Sequence, residues 1–270
     1  MRFLRLALLA LLVTACVAVP LTGRKQLSIV PQSSMLSMSS QQYGAFLEKH
    51  PPSNDKAGSA MVATVGANIQ HAVEQFFAAK GMGGKLSGYQ WEFRLVDSKE
   101  VNAWCMPGGK VVVYSGILPV ARDAAGLAVV MGHEIAHAVA NHGNERMSQE
   151  LLAQFGATAL DAALKEKPQE TREMWNTAFG VGATYGALLP FSRVQESEAD
   201  HLGLIFMASA GYDPHAAPEF WKRMAQLGGS KPPEFLSTHP SDETRIRKIN
   251  EWIPEAVTYA RPQNQPMRMK

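Results

Sequence analysis

The residues best suited to chemistry lie in Gly132-His133-Glu134-Ile135-Ala136-His137: two histidines four apart, with a glutamate beside the first. On an α-helix, positions i and i+4 share a face, so His133 and His137 can reach one Zn²⁺ while Glu134 reaches a water beside it. Zinc hydrolases usually use three protein ligands and keep a fourth position open. A third ligand must therefore come from elsewhere, and the downstream candidates are Glu196, Glu198, Asp200, His201, His215 and His239. Glu196 and Asp200 are again i and i+4, and Ala199, Gly203 and Phe206 flank their side, which favours that side as buried. Glu198 points roughly opposite and is expected on a solvated face.

The helix that must carry the two histidines is itself informative. Asp123 can cap it, and it is expected to run to about Asn141. From Ala124 to Ala140 it is apolar nearly all round, as a buried helix is. His133, Glu134 and His137 sit in its middle, and buried polar groups need partners that a metal and its water would supply. His142 is off the metal face, and His50, His71, His201 and His215 read as surface or packing residues.

The remaining elements follow from periodicity. Residues 35–49 predict a short helix, and Asn54 or Asp55 can cap a long one through Lys80, with Val62, Val65, Ile69, Val73 and Phe76 at three- and four-residue steps. The period then changes to two: strands are expected at 89–96, 101–106 and 110–114, the last two joined at Pro107-Gly108-Gly109. Helices follow at 143–165, at 168–189, from a Ser192 cap to about Ala210, from Asp213-Pro214 to Leu227, and from a Ser241 cap to Trp252. The Gly-rich run 177–189 can be a core helix, a close-packed hairpin or a membrane-facing surface, and the core reading is favoured. The fold class is α+β, predominantly helical, with a small, mostly antiparallel sheet. Asn102, Ala103 and Trp104 form the candidate edge that would hold an extended peptide; an interior strand with Trp104 in the core is the alternative.

The chain has 270 residues, 46% of them hydrophobic, enough for a sizeable core in one domain. Its formal charge is +2, and discounting Arg2 and Arg5 brings it to about zero, so nothing points to nucleic acid. Met1 to Arg5 is basic and Leu6 to Val13 apolar, too short to span a bilayer, which reads as a signal peptide over residues 1–15. It ends in Val13-Thr14-Ala15-Cys16, which resembles a bacterial lipobox with Cys16 as the lipidated residue; an ordinary secretory signal is the alternative. Val17, rather than Asp, then favours the periplasmic side of the outer membrane, by resemblance to Gram-negative lipoprotein sorting. Cys105 would have no partner, so no disulfide is expected. The expected organisation is a signal peptide (1–15), a tether (16–34), a metallopeptidase domain (35–252) and a poorly ordered tail (253–270).

GHEIAHAVANH, then FSRVQESEADHLG, then THPSDETR, together with VNAWCMPGGKVVVYSGIL and the TGRKQL segment, resemble the HtpX-like and CAAX-prenyl-endopeptidase-like zinc metallopeptidases of peptidase family M48. The likeness is nearest to their bacterial periplasmic lipoprotein branch (LoiP-like and YcaL-like), and it covers nearly the whole mature chain. It implies a gluzincin-like core and one zinc ion held by His133, His137 and Glu196. It further implies Glu134 as general base, and Asp200 and Arg245 as residues behind the ligands. His239 would either stabilise the oxyanion or fold back as a fourth ligand. The implied function is hydrolysis of unfolded or damaged envelope proteins; an outer-membrane assembly factor or chaperone with a plugged zinc is the alternative.

Overall fold

The computed structural model describes residues 16–165, 167, 169, 172–173, 176–178, 189–227, 235–236, 239 and 243–260. The expected signal peptide, most of the helix expected at 168–189 and the last ten residues lie outside them. The chain divides into two compact units, Met1–Met35 with Ala140–Glu196, and Leu36–Val139 with Ser197–Lys270.

In the first unit, the expected tether is a hairpin. Strand β1 (Cys16–Ala18) pairs antiparallel with β2 (Lys25–Leu27), Val17 opposite Gln26. Leu21 and Gly23 take positive φ in the turn, and Val19 N donates to Arg24 O at 2.8 Å. The hairpin lies along helix α5 (His142–Ala163) and is tied to it by side chains.

The second unit is built on a three-stranded sheet in the order β3 (Glu92–Val96), β5 (Lys110–Tyr114), β4 (Ala103–Met106). The expected hairpin is present: β4 pairs antiparallel with β5, Trp104 opposite Val112, around Gly108 and Gly109, both at positive φ. β3 pairs parallel with β5, so the sheet is mixed and β5 is central and fully buried. Side chains alternate across it. Val96, Val112 and Tyr114 pack on Tyr43 of α1 (Gln32–Lys49), with Phe46 and Trp104 alongside. On the other face lies α2 (Lys56–Ala79), capped by Asp55, whose Oδ1 accepts from Gly58 N at 3.0 Å. Gly58 and Gly66 let α2 approach Leu95 and Phe93 closely.

A short helix α3 (Leu118–Ala121) leads into α4 (Ala124–Val139), which carries the HExxH residues. Asp123 Oδ1 accepts from Gly126 N at 2.9 Å, the expected cap. α4 is buried from Gly126 to Ala136, as its apolar circumference required, and packs on β4 and α2. Asn141, at φ 64°, ends the run in the left-handed conformation common after helices.

Three expectations are corrected. Helix α6 (Leu189–Ser209) begins before Ser192, with Pro190 in its first turn, where a missing N–H breaks no bond. α7 (Ala216–Gln226) begins two residues after Pro214, because Asp213 Oδ1 accepts from His215 N and closes a turn there instead. α8 (Glu243–Thr258) runs through Pro254, so 253–258 is helix rather than tail. Ile249, Ile253 and Ala256 form one buried face, and their burial outweighs the hydrogen bond that proline removes.

Candidate metal centre

α4 places His133 and His137 one turn apart with Nε2 atoms 3.1 Å from each other. His239 arrives from the segment before α8, its Nδ1 3.1 Å from His133 Nε2. Glu196 lies on α6, one turn before Asp200. His133, His137, Glu196 and His239 offer ligand atoms that all lie within 4.8 Å of one another. Three imidazoles and a carboxylate are donors zinc accepts, and a tetrahedral ion with bonds of about 2.0–2.1 Å separates its ligands by roughly 3.3 Å. The two 3.1 Å separations match that edge, so the residues fit the metal.

Behind the donors, Asp200 Oδ1 lies 2.9 Å from His133 Nδ1, which leaves Nε2 facing the donor group. Arg245 grips the same carboxylate through Nε and Nη2, both at 2.7 Å. Burial alone would raise the Asp200 pKa; the Arg245 guanidinium and His133 outweigh it and hold the carboxyl below its usual range. Arg245 also lies over Trp221, 3.3 Å from the ring centroid, and its Nη1 donates to the His239 carbonyl at 3.2 Å. One guanidinium therefore joins the residue behind His133 to the backbone of His239. Trp221 and Phe235, whose ring lies 4.7 Å from that of His239, were not singled out from sequence, and no motif marks them.

The close approach of α4 and α6 has a cause in small residues. A Cβ on Gly203 would sit 2.9 Å from His133 N, and one on Gly132 would sit 3.0 Å from Gly203 O. The helices touch backbone to backbone, which lets the short Asp200 side chain reach His133. Glu198 is not on a solvated face: it is 5% exposed, because α6 is buried nearly all round from Glu198 to Ala208. His201 pairs with Glu255 at 2.7 Å and stacks on Trp252, and His215 pairs with Asp213, so neither joins the donors.

Glu134 is 4% exposed, and its Oε1 lies 3.5 Å from His239 Nε2. Cys105 of β4 faces the same helix: burial pushes its thiol well up, and the Glu134 charge adds to that, so it stays protonated. β4 is an edge strand, pairing only with β5 among the described residues. Trp104 is nonetheless partly buried, its ring 4.9 Å from Phe46, so each alternative held a part. Tyr114 N donates to Asn102 O at 3.1 Å, which makes Ala103 and Val113 a non-hydrogen-bonded pair and turns the Ala103 backbone groups outward. Asn102 Oδ1 accepts from Ala103 N at 2.8 Å.

The signature of Peptidase family M48 matches residues 64–253. The mitochondrial metalloendopeptidase OMA1 of Schizosaccharomyces pombe is 39% identical over 190 residues, 70% of this chain and 53% of that protein. The human mitochondrial metalloendopeptidase OMA1 is 31% identical over 246 residues, 88% of this chain and 46% of that one. The beta-barrel assembly-enhancing protease of Escherichia coli is 30% identical over 162 residues, covering 58% and 33% respectively. The chain thus spans about half the length of the first relatives or less. These likenesses overturn the expected address on the periplasmic side of the outer membrane, lipid-anchored through Cys16: relatives from yeasts, a plant and animals are named as mitochondrial. Among the described residues no helix is long and apolar enough to cross a membrane. HExxH on a buried helix, a carboxylate from a second helix and a matching signature over most of the sequence lead to one assignment: the chain belongs to peptidase family M48.

Proposed function

We propose that the chain is a zinc-dependent endopeptidase that cleaves unfolded polypeptide segments held in extended form along the free edge of β4. The observation that carries this is the convergence of His133, His137, Glu196 and His239 within 4.8 Å, with the buried Glu134 carboxylate beside them. When bound, zinc would supply the Lewis acidity that polarises a scissile carbonyl. Glu134 takes the proton of the attacking water and passes it to the leaving amine. Asp200 and Arg245 hold His133 in the tautomer that presents Nε2. The outward backbone of Ala103 offers strand pairing to the substrate, and Asn102 must release the Ala103 N–H for that pairing to form.

The ligand assignment has a direct test. Glu196→Ala is expected to lose roughly 10–100-fold or more in zinc affinity, since losing a ligand costs at least as much as losing a residue behind one. Glu198→Ala is expected to keep wild-type affinity. Chelator competition reads both, and the opposite pattern overturns the choice between the glutamates.

A second reading is favoured by the position of His239. Four protein donors leave no open position, which is the arrangement of closed sites. On this reading His239 would shut the centre when zinc is bound, and cleavage would require it to withdraw. His239→Ala is expected to retain zinc and to cleave unfolded casein faster than wild type, in a chelator-sensitive manner. Zinc-loaded protein that cleaves casein neither as wild type nor as His239→Ala would favour an assembly factor with a structural metal.

A further inference from the structure

The TGRKQL segment supplies none of the four metal donors, yet its arginine ends in a buried polar network. Arg24 Nη1 and Nη2 donate to Glu145 Oε1 and Oε2 at 2.6 and 2.8 Å, a two-pronged pair. The Glu145 side chain is 1% exposed and that of Arg24 20%. Gln195 Nε2, 2% exposed, donates to Glu145 Oε2 at 2.7 Å. Gln195 is the residue before Glu196 on α6, and all four residues belong to the first unit. Arg193 and Val194 just before it are exposed, whereas Gln195 is buried.

We infer that Arg24 is a positioning residue for the metal centre: through Glu145 and Gln195 it sets where α6 presents Glu196. This rests on the reading of Glu196 as a zinc ligand. A carboxylate as buried as Glu145 is costly to leave without its ion-pair partner, because removing that partner leaves an uncompensated charge. Without Arg24, the Glu145 carboxylate turns toward water, and Gln195 loses its acceptor. The turn of α6 that carries Glu196 then loses its anchor. Other contacts tie the hairpin down without touching Glu145: Ile29 N donates to Ser148 Oγ at 2.9 Å, and Asn144 Nδ2 donates to Val30 O at 2.7 Å. Loss of those should loosen the segment and spare the metal.

The test is zinc affinity, measured on the full chain by competition with a chromogenic chelator, beside thermal melting. Arg24→Ala and Gln195→Ala are expected to weaken zinc about tenfold, the low end for residues that hold a ligand from behind. Ser148→Ala is expected to lower the melting temperature with zinc affinity unchanged. Arg24→Lys keeps the charge without the fork and is expected to fall between wild type and Arg24→Ala; it also serves if Arg24→Ala does not fold. Glu196→Ala is measured in parallel. If it loses zinc while the Arg24 and Gln195 variants bind as wild type, the inference fails and the ligand reading stands. If Ser148→Ala weakens zinc as much as Arg24→Ala, the segment acts only through overall stability and the inference also fails. If Glu196→Ala itself keeps zinc, the ligand reading has failed first.

Discussion

Glu134→Gln is expected to lower the rate of peptide cleavage by roughly 10²–10⁴-fold, the range for loss of a positioned general base, with zinc content unchanged. The substitution preserves shape and hydrogen-bonding reach but removes the ability to take a proton. Glu134 is not among the four metal donors, and it sits 4% exposed on α4 between the two histidines, so the donors keep their places. Burial matters to the size of the effect, because bulk water has little access to stand in for the missing base. Cleavage of unfolded casein, with zinc measured on the same samples, reads both halves. A variant that cleaves at the wild-type rate would show that another group moves the proton. A variant that loses zinc would show that Glu134 holds the site together.

Gly203→Ala is expected to destabilise the fold by about 1–3 kcal/mol, the range for forcing a methyl into a packed interior. For a domain of this size each kcal/mol lowers the melting temperature by about 2–4 °C. The three nearest atoms, at 2.9, 3.0 and 3.1 Å, are all backbone atoms of Gly132 and His133, so no side chain can turn aside. The helices must part, and Asp200, one turn from Gly203 on α6, is then drawn from His133, to which it lies at 2.9 Å. Zinc affinity is expected to fall about tenfold as well, as for loss of a residue that orients a ligand. Gly143→Ala is the matching control: nothing lies within 4 Å of its added carbon, and it is expected not to destabilise. Equal melting temperatures for the two variants would disprove the tight crossing.

Much of this protein was legible in its sequence wherever local periodicity sufficed. The apolar circumference of α4 marked it as buried before any contact was known, and Asp55 and Asp123 cap α2 and α4 as their types suggested. The pairing around Pro107-Gly108-Gly109 was readable for the same reason, because two glycines at positive φ close a hairpin within a few residues. Strand order was not, since β3 and β5 pair in parallel across an intervening strand. Helix ends set by competing local bonds, as at Asp213, were misplaced by two or three residues. The lipobox reading of residues 13–16 led to an address that the mitochondrial relatives contradict; four residues of small and apolar type carry too little information for it.

By itself the sequence determined the helix, the two histidines and the glutamate between them, because i and i+4 residues must share a face whatever surrounds them. The face argument also favoured Glu196 with Asp200 over Glu198. Only the tertiary structure decided that Asp200 reaches His133, that Arg245 joins Asp200 to the His239 backbone, and that His239 stands among the donors. Apart from Arg245 on the His239 carbonyl, six positions away, those contacts connect residues more than 40 and up to 106 positions apart, and the approach of Asp200 to His133 depends on two glycines letting two helices touch. No local pattern encodes such a distance; it follows from how closely the backbones pack.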